Sequence, residues 1–138
     1  MANVQDFNRN LIDEFRANHG KVTGIFENSP VLLLTTTGAK SGNRHTTPVV
    51  YTTDGDRLVI IASKGGAPNS PDWYHNIVAN PTVTIELPDE TFEARASLAS
   101  GDERDRLYAA QAEMMPAFKE YEHKTSRRIP VVILERAA

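Results

Sequence analysis

Apolar residues near the start of the chain recur at spacings of three and four positions, which is the period of an α-helix. The pattern predicts an amphipathic helix over residues 3–18 that stops at His19-Gly20. The predicted apolar face contains Val4, Phe7, Leu11, Ile12 and Phe15. Such a helix packs its apolar side against the rest of the protein and leaves its polar side in water.

The middle of the chain follows the two-residue period of β-strands and is interrupted by turn residues. Asp54-Gly55 is a hairpin signal between two of the predicted strands. Pro48 favours a sheet edge or a bulge at its position, because proline has no N–H group to donate. The predicted strands cover residues 31–37, 46–53, 57–63, 83–87, 92–98 and 131–134.

Helical periodicity returns in two further places. A short helix is predicted over residues 72–79, and one longer helix is predicted after Ser100 or Asp102. The apolar stripe of the longer helix contains Leu107, Gln111, Met114, Phe118 and Tyr121. Its first turn alternates in charge from Asp102 to Arg106, which predicts a solvated helix start.

Six strands at hairpin spacing, with helices at both ends and one in the middle, do not form β-α-β units. They predict a mainly β fold with flanking helices, in which an antiparallel sheet closes into a barrel. The length of 138 residues is typical of one domain, so we expect a single domain over residues 1–138.

The composition excludes several classes of function. Hydrophobic residues make up 40% and charged residues 24% of the chain, as in ordinary soluble proteins, and the net charge of −3 argues against a nucleic-acid partner. The absence of cysteine excludes disulfides and thiolate catalysis, and the four histidines lack metal-ligand spacing. We expect a cytoplasmic protein without a metal site. A homodimer, and peripheral membrane contact through the amphipathic first helix, both stay open.

Two predicted strands run into glycine turns that contain a lysine: GAKSG at residues 38–42 and SKGG at residues 63–66. Close backbone approach at glycine, hydroxyl donors and a lysine charge are what a phosphate group needs. The spacing is not that of a P-loop, and either turn alone is explained equally well by a solvated loop. Two such turns on neighbouring strands favour one shared phosphate site, with Lys40 and Lys64 facing it.

An aromatic segment, DWYHN at residues 72–76, opens the short predicted helix beside the second turn. The first turn of a helix offers unpaired N–H groups to an anion, and Trp73 is suited to form one wall against a planar ring. The alternative is that Trp73 and Tyr74 only attach the helix to the barrel. His75 is a weak candidate for an acid. Since the chain offers little other chemistry, a bound cofactor is expected to supply it.

These motifs together resemble the deazaflavin-dependent nitroreductase family, whose actinobacterial members have a split β-barrel related to the FMN-binding barrels. The resemblance is carried by LLTTTGAKSG at residues 33–42, RHTTP at 44–48, ASKGG at 62–66, DWYHN at 72–76 and NP at 80–81. It implies a protein that binds reduced coenzyme F420 and passes a hydride to a small-molecule acceptor. The acceptor would be a quinone, a nitroaromatic or another electron-poor compound.

Carried over residue by residue, the resemblance implies a cofactor site and an acceptor side. The phosphate would lie at Ala39, Lys40 and Ser41, and the neighbouring strand would contribute His45, Thr46, Thr47, Pro48, Val49 and Val50. The ring and its side chain would meet Ile61, Ala62, Ser63 and Lys64, beneath Asp72, Trp73, Tyr74, His75 and Asn76. The acceptor side would contain Met115, Phe118 and Tyr121, with Tyr121 and Ser63 as the candidate catalytic groups. From charge alone, Arg44 is expected to join Lys40 in attracting the anionic tail of the cofactor.

The chain departs from the family pattern at two places. Many members carry arginine at the position of Ala39, and relatives active on nitroimidazoles carry tyrosines where this chain has Met115 and Phe118. A lost hydroxyl removes a hydrogen bond or a proton donor, so we expect quinone reduction to be retained more readily than nitro reduction. Two alternatives stay open: an FMN-dependent reductase on the same barrel, and a carrier that binds the cofactor without catalysis.

Overall fold

Six antiparallel strands form a closed barrel in a computed structural model that describes residues 4–22, 30–63, 70–125 and 128–137. The strands are β1 (Val31–Thr37), β2 (Arg44–Asp54), β3 (Arg57–Ile61), β4 (Thr82–Leu87), β5 (Glu90–Leu98) and β6 (Val131–Arg136). Around the barrel the strands follow the order β1-β2-β3-β6-β5-β4. The helices in these residues are α1 (Val4–Ala17), α2 (Asp72–Ala79), α3 (Gly101–Met114) and α4 (Ala117–Lys124). The predicted fold class is confirmed.

The barrel interior is an apolar core to which every strand contributes. This interior core contains Leu32, Leu34, Val49, Ile60, Ala62, Val83, Ile85, Ala94, Ala96, Val132 and Leu134. Trp73 and Ile77 of α2 belong to the same core, so α2 is packed against the barrel through these two side chains. Full burial of one such aliphatic side chain stabilises the fold by about 1.5–3 kcal/mol.

The other side of the barrel wall carries two apolar clusters under helices. The α1 cluster contains Leu11, Phe15, Val22, Val31, Leu33 and Val50. The α3–α4 cluster contains Val59, Ile61, Leu107, Tyr108, Ala112, Phe118, Ile129, Val131 and Ile133, with Tyr121 packed against it. Met115 is partly buried against both clusters, so this residue lies where they meet.

The helix predicted as one continuous element after residue 100 is two helices, and that prediction was wrong. α3 ends at Met114, Met115 is extended (φ −132°, ψ 91°), and α4 begins after Pro116. Proline has no N–H group for the helical ladder, and it disfavours helical geometry in the residue before it. Phe118 and Tyr121 therefore belong to a separate helix of eight residues.

The charged start of α3 is not fully solvated, which corrects the prediction for Arg104. This side chain is buried at 6% exposure, and its Nε and Nη2 donate to the Ile129 carbonyl oxygen at 3.1 and 2.7 Å. Arg104 precedes Leu107 and Tyr108 by three and four positions, so it lies on the helix face that packs on the barrel. Charge alternation along the chain does not reveal which helix face is covered.

Pro48 occupies the part of β2 that pairs on one side only. Residues 44–50 of β2 pair with β1, whereas the β3 ladder includes only residues 51–54. The predicted local edge is therefore present, although the barrel is closed as a whole. In the described part of the chain, no strand pairs with this stretch of β2 on its β3 side.

Ion pairs attach the β2–β3 hairpin to α3. Asp54 accepts hydrogen bonds from Arg106 at 3.1 and 3.4 Å and from Arg57, and Arg57 also donates to Glu103 at 3.2 Å. The hydrogen bonds from Arg106 and Arg57 lower the pKa of the Asp54 carboxyl from 3.8 to about 2. The ionised carboxylate is thus favoured in the folded state.

The Asp54 pKa predicts a specific pH dependence of stability. Because the folded-state pKa is lowered, the contribution of Asp54 is complete above pH ~4 and is lost as the pH falls toward ~2. Asp54→Asn is expected to remove that part of the acid dependence. Urea unfolding measured from about pH 6 down to about pH 2 tests this. Asp56→Asn, two residues along the same turn, is the control, and an acid dependence of Asp54→Asn equal to that of wild type would contradict the prediction.

Candidate functional site

The first glycine turn is a compact loop between β1 and β2. The Gly38 N–H donates to the Asn43 carbonyl oxygen at 2.7 Å, and the Gly42 N–H donates to the Gly38 carbonyl oxygen at 3.0 Å. Gly42 has a φ of +74°, which favours glycine at this position. A Cβ atom on Gly38 would lie 2.5 Å from Ser41 Oγ. The turn therefore has room for the Ser41 hydroxyl only because residue 38 lacks a side chain.

Asn76 ties this turn to α2. Its side-chain Oδ1 accepts from the Ala39 N–H at 3.0 Å, and its Nδ2 donates to Thr36 Oγ1 at 3.1 Å. One helical turn later, Asn80 Nδ2 donates to the Thr37 carbonyl oxygen at 3.4 Å. Both ends of the Asn76 amide are thus engaged with the protein, and this side chain holds the turn in place.

Two N–H groups of the turn are left to bind a ligand. Among the described residues, no hydrogen-bond partner is present for the N–H groups of Lys40 and Ser41, whereas the Ala39 N–H is taken by Asn76. Ser41 Oγ accepts from the Asn43 N–H at 3.1 Å, which leaves its own hydrogen to donate. The Lys40 side chain is exposed beside them. Adjacent N–H groups, a hydroxyl and a cation fit a phosphate group.

Strand β2 divides its predicted site residues between the two sides of the barrel wall. Pro48 lies opposite Leu33 of the α1 cluster, and Thr46 lies opposite Thr35, so these side chains share the outer face. The outer set is Thr46, Pro48 and Val50, and the inner set is His45, Thr47 and Val49. A ligand that lies on one side of the barrel wall would therefore reach the side chains of only one of these two sets.

Thr35 lies on the same face as the outer set, although it is not among the predicted cofactor-site residues. Its Oγ1 lies 2.8 Å from Thr46 Oγ1, and either hydroxyl can donate. On the same face, Arg44 Nη2 donates to Thr84 Oγ1 at 2.7 Å. The available signal was the alternation of the threonine run in β1, which puts residues 35 and 37 on one face and residue 36 on the other.

The end of β3 brings part of the cofactor side to the acceptor side. Ile61 belongs to the α3–α4 cluster, in which Phe118 is buried and Met115 and Tyr121 are partly buried. Ala62 instead enters the interior core, and Ser63 is buried at 7% exposure. The structure thus places Ile61 in the same cluster as the three predicted acceptor-side residues, which follow it by more than 50 positions in the sequence.

Lys64 and the second glycine turn lie outside the described residues. The predicted convergence of Lys40 and Lys64 on one phosphate therefore stays a prediction, because only the first of the two turns lies in the described residues.

The aromatic residues of α2 are placed mainly by packing. Trp73 is buried at 8% exposure in the interior core, and Tyr74 packs against the same core. His75 and Asp72 are exposed, and the His75 ring lies 5.5 Å from the Tyr74 ring in an edge-on arrangement. Attachment of the helix, the alternative considered for Trp73 and Tyr74, is thus present in the structure.

Other features of the described residues lie away from this site. A cavity of about 510 Å³ between α3 and α4 is lined by none of the predicted site residues. No group of three His, Asp or Glu side chains in the described ranges is arranged to hold a metal ion. None of the helices in those ranges has the length and hydropathy of a bilayer-spanning segment.

Comparison with known proteins gives consistent matches. Residues 7–136 match the family model described as F420H(2)-dependent quinone reductase. The F420H(2)-dependent quinone reductase Rv1261c of Mycobacterium tuberculosis is 40% identical over 126 residues, which is 88% of this chain and 85% of that protein.

Solved structures give the same result for the fold. The F420-H2 dependent reductase FDR-A has a TM-score of 0.71 at 40% identity, covering 77% of this chain and 94% of that one. A structure described as a domain-swapped dimer has a TM-score of 0.73 at 34% identity, covering 96% of each chain. HutZ, a heme storage protein from Vibrio cholerae, has 17% identity and a TM-score of 0.59, which is a likeness of fold alone.

The Asn76 contacts predict which side chain of α2 stabilises the turn. Asn76→Ala leaves the Ala39 N–H and the Thr36 hydroxyl without their partner, and we expect it to lower the free energy of unfolding by about 1–2 kcal/mol. Asn80→Ala removes one long hydrogen bond, so its expected cost is about 0.5 kcal/mol or less. Urea unfolding measures both changes. A larger loss for Asn80→Ala than for Asn76→Ala would contradict this assignment.

Proposed function

The chain belongs to the F420H(2)-dependent quinone reductase family, and from this premise we propose that it catalyses hydride transfer from reduced coenzyme F420 to a quinone or another electron-poor acceptor. The observation that best supports the proposal is the place of Ile61 in the α3–α4 cluster, which also contains Phe118 and against which Met115 and Tyr121 pack. It brings the strand end expected to meet the cofactor ring to the residues expected to meet the acceptor. Hydride transfer requires the two reactants to be held in contact.

The first glycine turn would hold the anionic end of the cofactor. The N–H groups of Lys40 and Ser41 and the Lys40 ammonium group provide the donors and the positive charge that a phosphodiester needs. When bound, the reduced deazaflavin supplies the hydride. The residues of the chain bind and orient the reactants and keep water away from them. The outer set of β2, Thr46, Pro48 and Val50, continues from this turn toward the α1 cluster.

The acceptor would lie against Met115, Phe118 and Tyr121. Phe118 is buried, whereas Met115 and Tyr121 are partly exposed and available for contact. In the described part of the chain, the Tyr121 hydroxyl makes no hydrogen bond, so it can donate one to an acceptor oxygen. Tyr121 is therefore the stronger candidate for a catalytic group, and Ser63 is the second.

No particular observation favours the FMN-dependent reductase or the non-catalytic carrier. The family match supports F420 as the cofactor and gives no support to FMN. A similar solved structure is described as a domain-swapped dimer, which supports a homodimer as the assembly to test by size-exclusion chromatography.

Lys40 provides the first test of the function. The purified protein is expected to oxidise F420H2 when a naphthoquinone is added, as followed by the return of F420 absorbance. Lys40→Ala is expected to weaken F420H2 binding by about 1–3 kcal/mol, because a charge-assisted contact to the anion is lost. Lys21→Ala removes the same charge from an exposed position near the end of α1 and is the matched control.

The outcomes of this experiment separate the site from the function. An unchanged dissociation constant for Lys40→Ala would remove Lys40 from the site. No oxidation of F420H2 by any quinone, with tight cofactor binding, would support the carrier instead. Tighter binding of FMN than of F420H2 in a parallel titration would support the FMN-dependent alternative.

Acceptor preference provides a second test. We expect the ratio of quinone turnover to nitroimidazole turnover to be higher than in a relative that carries tyrosines at the positions of Met115 and Phe118. Met115→Tyr is expected to raise nitroimidazole turnover on the order of tenfold, since a hydroxyl would be restored beside the acceptor. Met114→Tyr places a tyrosine at the neighbouring exposed position and serves as the control. Equal nitroimidazole turnover by the wild-type protein and such a relative would refute the expectation.

A further inference from the structure

Tyr108 of α3 holds the first turn of α4. Its hydroxyl donates to the Phe118 carbonyl oxygen at 2.5 Å, and its ring centroid lies 6.3 Å from that of Phe118 at an interplanar angle of 78°. Tyr108 is only 2% exposed, so its side chain is almost completely buried. A hydrogen bond made by a buried hydroxyl is costly to lose, because the group on the other side loses its partner.

Phe118 in turn contacts Tyr121, the candidate catalytic residue. The two ring centroids are 5.1 Å apart at an interplanar angle of 72°. Three aromatic rings therefore pack in series, each edge-on to the next: Tyr108, Phe118 and Tyr121. Exposure rises along the series from a fully buried ring to a partly buried one. A change at Tyr108 is expected to reach Tyr121 through Phe118.

Arg104 also contacts the Tyr108 ring. The guanidinium carbon lies 4.7 Å from the centroid of the Tyr108 ring, and Nη1 lies 3.6 Å from Glu122 Oε2 in α4. Arg104 also donates twice to the Ile129 carbonyl oxygen, and these two hydrogen bonds hold its guanidinium group in place. α4 is thus connected to α3 at two points, at Phe118 and at Glu122.

α4 depends on such contacts for its position. It has eight residues, and no side-chain hydrogen bond caps its N-terminus, where Pro116 is the cap residue. Isolated helices of this length are not stable in water, so tertiary contacts decide where α4 lies. The helix carries Phe118 and Tyr121, and any displacement would move both acceptor-side rings together.

We propose that Tyr108 is a positioning residue for the acceptor: it fixes α4 through the Phe118 carbonyl group and sets the orientation of Tyr121. This inference rests on the proposed function, because it takes Met115, Phe118 and Tyr121 as the acceptor side. Tyr108 does not itself touch the acceptor. The contact that it makes between α3 and α4 is inferred to affect the binding of the acceptor and not the binding of the cofactor.

The test is Tyr108→Phe, which keeps the ring and removes only the hydroxyl. Binding of an oxidised naphthoquinone, measured by calorimetry without cofactor, is expected to weaken roughly tenfold, with a matching rise in KM and a smaller change in kcat. The dissociation constant for F420H2 is expected to stay unchanged. Amide hydrogen exchange in residues 117–124 is expected to become faster than in the wild-type protein.

A control variant separates positioning from loss of stability. Ile85→Val removes a methyl group from the interior core, away from α4, and lowers the melting temperature without touching the aromatic series. At a similar loss of melting temperature, Ile85→Val is expected to leave quinone affinity unchanged. An equal loss of quinone affinity in both variants would overturn the proposal, and so would unchanged quinone affinity and KM in Tyr108→Phe.

A surface variant tests the same connection if Tyr108→Phe does not fold. Glu122→Ala removes the exposed partner of Arg104 in α4, and we expect quinone affinity to fall about two- to threefold. Glu120→Ala removes an equal charge from the same helix without an ion pair in the described residues, and it should have no effect. Equal effects of the two variants would count against the proposal.

Failure of the proposed function gives a different result. A wild-type protein that binds quinone but never oxidises F420H2 would contradict the function alone, and the quinone affinity of Tyr108→Phe would still decide the role of Tyr108. A wild-type protein that binds no quinone would overturn both.

Discussion

The alternation of side chains across the barrel wall is the constraint on which the rest of this structure depends. Along each strand, successive side chains point to opposite sides of a wall one chain thick, so every strand contributes to two environments at once. Leu32 and Leu34 enter the interior core, while the alternate residues Val31 and Leu33 belong to the α1 cluster. Closure of the barrel keeps the two environments apart along the paired parts of the described strands.

The same alternation decides what the site can be. Thr46, Pro48 and Val50 lie on the outer face, whereas Val49 and Ala62 lie in the interior core, so a ligand on the outer face would not reach the side chains of Val49 and Ala62. The polar part of the site is supported differently. Asn76 uses both ends of its amide to hold the glycine turn, and only the neighbouring N–H groups of the turn remain for an anion. In the proposed site, a phosphate at the turn and a ring on the barrel wall would thus be held by different parts of the fold.

Sequence patterns were most successful where the physical signal is local. The Asp54-Gly55 hairpin, the short helix over residues 72–79 and the first strand over residues 31–37 all depend on neighbours within a few positions, and the structure contains each of them. The long helix was predicted wrongly because an apolar stripe continues through Pro116, where the backbone does not. Arg104 was misjudged because its charge pattern indicates solvent and its place on the helix face indicates burial.

The sequence by itself determined the six strands, the first helix, the short helix over residues 72–79 and the glycine turn that contains Lys40, because local periodicity and backbone preference are properties of short segments. Only the tertiary structure decided that Ile61 shares one apolar cluster with Met115, Phe118 and Tyr121, that Asn76 binds the turn, and that Tyr108 holds α4. These contacts join residues that are far apart or on different elements. Which faces meet depends on how the closed barrel covers its apolar surface, and no single segment contains that information.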